Sequence, residues 1–180
     1  MPFPDIILAS PPCESWSGAD CNGKMFRSID SKGNWVVKNK KFYDEYNKKC
    51  HPVKTRYFIQ KERSRLIGES TAGATIEIIK HFDPTIWIIE NPQTSKIWEF
   101  QKYHWDFEGE ENLTYYSSYD KSFSPKPTIF KSNYKFILKN KKTIGNKEHM
   151  ARGSYRKRSS IPEALIKELI EQCFQKMKGK

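Results

Sequence analysis

The chain has 180 residues, 37% of them hydrophobic and 14% aromatic, which suffices for one domain with a core and excludes a disordered chain. It contains no run of eighteen apolar residues and no basic start followed by a long apolar stretch, so we expect an intracellular protein without a membrane span or signal peptide. The net charge of +11 favours a polyanionic partner, most commonly nucleic acid.

The basic residues are clustered along the chain. Residues 38–65 hold ten Lys or Arg against three acidic residues, and residues 131–158 hold ten against Glu148 alone. Residues 104–112 are acidic instead. This clustering favours one DNA-facing side over a uniformly charged soluble surface, which is the alternative.

The first predicted element is a strand over residues 6–9, a continuous apolar run. Such a run is typical of a strand buried on both faces in a parallel sheet. The strand ends at Ser10-Pro11-Pro12, because proline donates no hydrogen bond to a neighbouring strand. The polar, basic residues 14–60 then predict a long active-site or DNA-facing loop region with a short helix around residues 41–46.

A helix is predicted over residues 61–82, where apolar side chains recur at a spacing near 3.6. An apolar strand follows over residues 85–89 and is expected to end at Glu90-Asn91-Pro92. Because a strand, a helix and a second strand in this order make a crossover unit, we expect the two strands to be parallel.

The C-terminal part predicts a hairpin and a final helix. Residues 113–119 and 128–130 flank turn residues and form the predicted hairpin, and residues 134–138 are a possible further strand. The helix is expected to begin at Ser160, with Ser160 and Glu163 as a capping box and a wide apolar stripe behind them. The chain is thus predicted to be a single α/β domain.

The two apolar strands place a thiol and a carboxyl group at the same edge of the predicted sheet. In parallel sheets, ligands bind beyond the carboxyl ends of the strands. Cys13 follows the first strand and Glu90 follows the second, so one bound molecule could reach both. A thiolate that adds to C6 of cytosine activates C5, and a carboxyl group facing N3 can supply the proton that stabilises the adduct.

Four segments resemble motifs of DNA cytosine-5 methyltransferases, in consistent order. The segment Ala-Ser-Pro-Pro-Cys-Glu-Ser-Trp-Ser at 9–17 resembles their Pro-Pro-Cys catalytic motif. Ile-Ile-Glu-Asn-Pro at 88–92 resembles their Glu-Asn-Val motif, in the Glu-Asn-Pro form of small phage-type DNA methylases. Lys-Pro-Thr-Ile-Phe at 126–130, with Asn133, resembles a later hairpin segment, and residues 158–162 with Leu165 resemble their C-terminal motif.

The resemblance implies a partial Rossmann-like methyltransferase fold with parallel strands, a C-terminal β-hairpin and flanking helices. It implies methyl transfer from S-adenosylmethionine to a cytosine flipped out of double-stranded DNA, in the cytoplasm of a bacterium or a phage-infected host. Cys13 is then the nucleophile and Glu90 the group facing the ring nitrogen, with Pro12 and Asn91 beside them.

The other site residues that the resemblance implies fall into two groups. The residues for the methyl donor are Ser10, Pro11, Ser160 and Ile161. The residues for DNA are Ser15, Ser17, Lys121, Lys126, Arg156 and Arg158. No metal is expected, since the spacing of Cys13, Cys21, Cys50 and His51 fits no zinc pattern.

The chain departs from the family in one important respect: it contains no Gly-x-Gly turn of the kind that holds the donor. We therefore expect a second subunit, or a second copy of the chain, to complete the sheet and the donor site. Two alternatives stay open. One is a catalytically inactive methylase-like phage accessory protein that binds DNA or protein, and the other is a thiol enzyme acting on free pyrimidine nucleotides.

Overall fold

The structure, a computed structural model, describes residues 3–16, 26–146, 148 and 159–179. The fold is mixed α/β. Its strands are β1 (Ile6–Ala9), β2 (Arg27–Ile29), β3 (Trp35–Val37), β4 (Ile86–Pro92), β5 (Glu110–Tyr115) and β6 (Pro127–Ser132). Its α-helices are α1 (Lys40–Lys49), α2 (Phe58–Phe82), α3 (Ile97–Trp105) and α4 (Glu163–Lys178), and 3₁₀ turns occupy Pro52–Lys54 and Tyr116–Ser118.

The chain divides into two compact units. The first comprises residues 1–10, 77–93 and 108–180, and the second comprises residues 11–76 and 94–107. Within the described ranges, no helix is both long enough and apolar enough to cross a membrane.

A four-stranded sheet in the order β1-β4-β6-β5 forms the centre of the first unit. β1 pairs parallel with β4, from Ile6 beside Ile86 to Ala9 beside Ile89, as the crossover pattern predicts. β6 pairs antiparallel with both β4 and β5, which confirms the predicted hairpin. The sheet is therefore mixed, with β1 at one edge.

The apolar stripe of α4 packs in the core of this unit. Leu165, Leu169 and Cys173 are at most 1% exposed, and they cluster with Ile88 of β4 and Phe130 of β6. Each such side chain contributes about 1.5–3 kcal/mol by leaving water. The predicted amphipathic stripe is thus confirmed, and it ties the C-terminal helix to the sheet.

Two predictions about the strands are wrong. Leu8 is 43% exposed, so β1 is not buried on both faces; in the described part of the chain it lies at the edge of the sheet and pairs with β4 alone. β4 does not end before Glu90-Asn91-Pro92 but runs through these residues, because β6 supplies hydrogen-bonding partners for them.

The chain after β6 also differs from the prediction. Residues 134–138 form no strand, because the side chain of Asn112 accepts a hydrogen bond from the Phe136 N–H and donates one to the Tyr134 carbonyl. These bonds replace a strand ladder. α4 begins at Glu163 rather than Ser160, with Pro162 at the N-cap. The ring of Pro162 disfavours a helical backbone conformation at the preceding residue, Ile161.

The second unit contains the short hairpin of β2 and β3, which was not predicted, and α1, which confirms the helix expected around residues 41–46. Asp30 makes the hairpin turn, its Oδ1 accepting from the N–H groups of Lys32 and Asn34. Gly33 has a φ of +84°, a conformation that favours glycine. Phe26 and Tyr43 form a small buried cluster beside this hairpin.

The five tryptophans are unevenly divided. Trp87 lies in the first unit, where Gly109 leaves room for its ring: a Cβ at Gly109 would be 2.6 Å from it. The other tryptophans belong to the second unit, at positions 16, 35, 98 and 105.

Candidate active site

The Glu90 carboxylate is the centre of the polar site in the first unit. Glu90 is 6% exposed. Ser10 Oγ donates to its Oε2 at 2.6 Å, and the Tyr116 hydroxyl donates to its Oε1 at 3.0 Å. Lys126 Nζ lies 3.8 Å from Oε1. Each carboxylate oxygen therefore has a hydroxyl donor, and a positive charge lies nearby.

The sheet brings these groups together. Because Ala9 pairs with Ile89, Ser10 follows β1 at the level of Glu90. Tyr116 comes directly after β5, and Lys126 directly before β6. Glu90 itself sits in the middle of the sheet, where it pairs with a residue of β6. Glu90 was expected beyond the end of the second strand; it lies instead within β4, at the level at which β1 ends.

Lys126 was predicted to contact DNA, and the structure places it against Glu90. Its side chain is 18% exposed, and its ammonium also lies 5.3 Å from the centroid of the Tyr116 ring. A largely buried ammonium needs a compensating charge, which Glu90 supplies. Lys121, the other lysine expected at this hairpin, is exposed.

Cys13 begins a tight turn in the second unit. Its carbonyl accepts a hydrogen bond from the Trp16 N–H at 3.0 Å, and its side chain is half-buried and in no disulfide with a described cysteine. The Trp16 side chain is fully buried and packs against Phe100, with ring centroids 4.9 Å apart. The Trp16 backbone carbonyl accepts a hydrogen bond from the Lys96 N–H at 2.9 Å. The turn is thus anchored at Trp16.

Arg27 holds the same turn from β2. Its Cζ lies 3.9 Å from the centroid of the Trp16 ring, and its Nη1 donates to the Ser15 carbonyl at 3.2 Å. Its Nε donates to Glu69 Oε1 at 2.8 Å. Burial lowers the pKa of Arg27, and the hydrogen bond and charge of Glu69 oppose that shift. Arg27 and Glu69 were not predicted as a pair, since one charged residue in a polar loop and another on a predicted helix carry no signal that links them.

A cavity of about 350 Å³ lies between this turn and α2, within the second unit. Gly68 permits the close approach: a Cβ there would lie 2.0 Å from Ser15 Oγ. The walls carry a carboxylate, a guanidinium, an amide and hydroxyl groups, so the cavity suits a ligand with both donors and acceptors. Its lining residues are Pro12, Glu14, Ser15, Gln60, Arg63, Ser64, Ile67 and Gly68.

The structure separates the remaining predicted site residues. Asn91 is fully buried in β4. Ser15 is 1% exposed, so its side chain lies inside the second unit rather than on a DNA-facing surface. Pro11 and Pro12 belong to the second unit. Ser17, Arg156 and Arg158 lie outside the described residues.

Two of the residues expected to hold S-adenosylmethionine, Ser10 and Ile161, have contacts within the first unit. The Ser10 hydroxyl donates a hydrogen bond to Glu90. Ser160 and Ile161 precede α4, and Ile161 packs against the core of the first unit. No Gly-x-Gly turn is present in the sequence to cradle the donor. Within the ranges that the structure describes, no group of three His, Cys, Asp or Glu could hold a metal ion.

Comparison of the chain with protein-family models, with curated protein sequences and with solved structures found no match. The function is therefore inferred from the residues and contacts described above.

Proposed function

We propose that this protein is the catalytic chain of a DNA cytosine-5 methyltransferase with a partial Rossmann-like fold. Cys13 is the nucleophile and Glu90 is the acid that faces the ring of a flipped-out cytosine. The observation that carries the proposal is the buried carboxylate of Glu90, bonded to Ser10 immediately after β1. The use of Cys13 with Glu90 on one base is drawn from the sequence, where Cys13 follows Ser10 by three residues.

The chemistry of this pair is addition to a pyrimidine. The Cys13 thiolate forms a bond to C6, and the C5–C6 π electrons form a C4–C5 double bond. The N3–C4 π electrons move onto N3, which takes a proton from the Glu90 carboxyl group. C5 is now nucleophilic. As C5 attacks an electrophile, N3 returns its proton to Glu90 and the N3–C4 double bond re-forms. Loss of the C5 proton to a base such as water, with cleavage of the S–C6 bond, then restores an aromatic cytosine and the Cys13 thiolate.

The methyl donor in this proposal is S-adenosylmethionine, bound with the help of a second polypeptide. β1 is an edge strand, and Leu8 on it is 43% exposed, which supports a partner that completes the sheet. A separate subunit suits catalysis better than a second copy, because a copy brings no glycine-rich turn.

Double-stranded DNA is the proposed substrate, in the cytoplasm of a bacterium or a phage-infected host. The exposed lysines at the end of α1 support this choice, since Lys48 and Lys49 add positive charge to a basic stretch. The target base must leave the stack to reach Cys13, and that costs least where it is unpaired or mismatched.

Exchange of the cytosine C5 hydrogen in D₂O tests the proposal without any methyl donor. Once the thiol has added to C6, C5 accepts a deuteron, and elimination leaves deuterium on the base. We expect mass spectrometry to show exchange in a duplex with a mismatched cytosine. Cys13→Ser should abolish it, whereas Cys50→Ser, at another half-buried thiol, should not. Undiminished exchange in Cys13→Ser would overturn the assignment.

A second candidate is a methylase-like DNA-binding module without chemistry. The packing of Ile161 against the core of the first unit favours it, because Ile161 was expected at the methyl donor. The same samples separate the two candidates: a module binds the duplex but leaves the C5 hydrogen in place, with or without Cys13.

A further inference from the structure

Tyr116 is a core residue whose hydroxyl points to the candidate site. It is 2% exposed, belongs to the main core cluster of the first unit, and packs edge-on against Phe123 with ring centroids 6.1 Å apart. Its hydroxyl donates to Glu90 Oε1 at 3.0 Å. Packing therefore fixes the ring, and because the hydroxyl is attached to the ring, its position is fixed as well.

Ser10 provides the second point of attachment. Its donation to Oε2 leaves each carboxylate oxygen with one hydroxyl donor from a different segment of the first unit. Two directional bonds at opposite oxygens define the plane of a carboxylate, whereas a single bond leaves it free to rotate. Fixed orientation matters because misplacing a reacting group by about 1 Å can cost about a hundredfold in rate.

We propose that Tyr116 is a positioning residue for Glu90, orienting its carboxyl group toward the pyrimidine ring; this inference rests on the proposed function. Lys126 cannot replace it, because its ammonium is 3.8 Å from Oε1, beyond hydrogen-bonding distance, and an ammonium is a point charge without preferred direction. Tyr116 combines a donor at 3.0 Å with a ring that the core prevents from moving.

Tyr116→Phe is the decisive variant, since it keeps the ring and removes only the hydroxyl. We expect the single-turnover rate of C5-hydrogen exchange to fall by about tenfold to a hundredfold. The dissociation constant for the same duplex should change less than about twofold, because Tyr116 is buried and the substitution adds or removes no charged residue.

Tyr119→Phe is the matched control. Tyr119 is close in sequence, and its hydroxyl also donates to a carboxylate, Glu168 Oε1 at 3.1 Å, and accepts from the Lys139 N–H at 2.9 Å. Removing the Tyr119 hydroxyl also breaks hydrogen bonds in the first unit, but none of them is to Glu90. We expect Tyr119→Phe to lower stability and to leave the exchange rate unchanged.

A spectroscopic readout addresses the contact independently of activity. In protein labelled with ¹³C at the glutamate carboxyl carbon, the Glu90 signal, assigned by its loss in Glu90→Gln, should move in Tyr116→Phe and stay in place in Tyr119→Phe. A Glu90 signal that is indifferent to Tyr116→Phe would overturn the inference.

The kinetic outcomes separate this inference from the proposed function. If the unmodified protein shows no Cys13-dependent exchange, both fall together. If it does, and Tyr116→Phe exchanges at the same rate, only the role of Tyr116 is lost. Equal slowing in Tyr116→Phe and Tyr119→Phe would also overturn it, because the effect would then be one of general stability.

Discussion

Arg27 lies over the indole of Trp16, with its Cζ atom 3.9 Å from the ring centroid, and both side chains are almost completely buried. The contact joins the turn that carries Cys13 to the hairpin of β2 and β3, which follows it in the chain. Burying a guanidinium costs free energy unless hydrogen bonds and an opposite charge compensate it, and Glu69 supplies that charge. The Cys13 turn is therefore held by the ion pair between Arg27 and Glu69, and Glu69 lies far from Cys13 in the sequence.

We predict that Glu69→Gln destabilises the protein by about 2–3 kcal/mol, because it leaves the Arg27 charge buried without compensation. Arg27→Met in the same background should recover part of this loss, since it removes the stranded charge and keeps apolar volume against Trp16. Urea denaturation of the two single variants and the double variant measures the coupling. Strictly additive losses would show that the two residues do not depend on each other.

We predict that Gly68→Ala destabilises the protein by about 1–3 kcal/mol, although alanine favours helices, because the added Cβ would lie 2.0 Å from Ser15 Oγ. Ser15→Ala in the same chain should relieve much of the effect, since it removes the atom with which the Cβ clashes. Thermal melts of the single and double variants test this. A Gly68→Ala protein as stable as the parent would mean that Ser15 can move aside freely.

Glu90→Gln should slow C5-hydrogen exchange by about a hundredfold, the usual loss when an acid catalyst is removed. The amide also places an NH₂ group where Ser10 or Tyr116 now donates, so two donors would face each other. Glu110→Gln, at an exposed carboxylate 3.6 Å from Lys135, is the control and should react normally. A loss below about threefold in Glu90→Gln would remove Glu90 from the chemistry.

DNA affinity should be mainly electrostatic. We expect log K to fall linearly with log salt, and Lys48→Ala and Lys49→Ala each to reduce the slope by about one, the effect of losing one phosphate contact. Lys40→Ala on the same helix is the control, because Lys40 is already paired with Asp44 at 2.7 Å. Fluorescence anisotropy with a labelled duplex measures this, and a flat salt dependence would contradict it.

Isolated protein should bind S-adenosylmethionine weakly or not at all. The groups expected to hold the donor, Ser10 and Ile161, are used inside the first unit. Isothermal titration calorimetry on the purified chain tests this expectation. Micromolar binding by a monomer would show that no partner is needed for the donor site.

The apolar runs were sufficient to predict β1, β4 and their parallel pairing, because a crossover helix leaves few alternatives. The same pattern predicted Glu90 after the second strand and beside Cys13. The extension of β4 through Glu90 and the hydrogen bond between Ser10 and Glu90 were not predicted. The position of β6 between β4 and β5 could not be predicted: periodicity identifies a hairpin but does not say which of its strands pairs with the rest of the sheet.

The side-chain contacts that hold the site could not be predicted from the sequence for a different reason. Tyr116 is one of nine tyrosines, and nothing in its neighbours distinguishes it from Tyr115 or Tyr119. Its role follows from the 3₁₀ turn after β5, which turns its ring inward. Arg27 lies in a three-residue strand, too short for an alternating pattern to appear.

The uneven placement of the tryptophans gives the protein a natural optical label. Four of the five indoles belong to the second unit and Trp87 alone to the first, so intrinsic fluorescence reports chiefly on the second unit, which contains Cys13. Replacing Trp87 by phenylalanine would make the tryptophan emission specific to the second unit. Exposure of Trp16 to water on unfolding of that unit would then appear as a red shift of the emission. Far-ultraviolet circular dichroism would report the secondary structure of the whole chain independently.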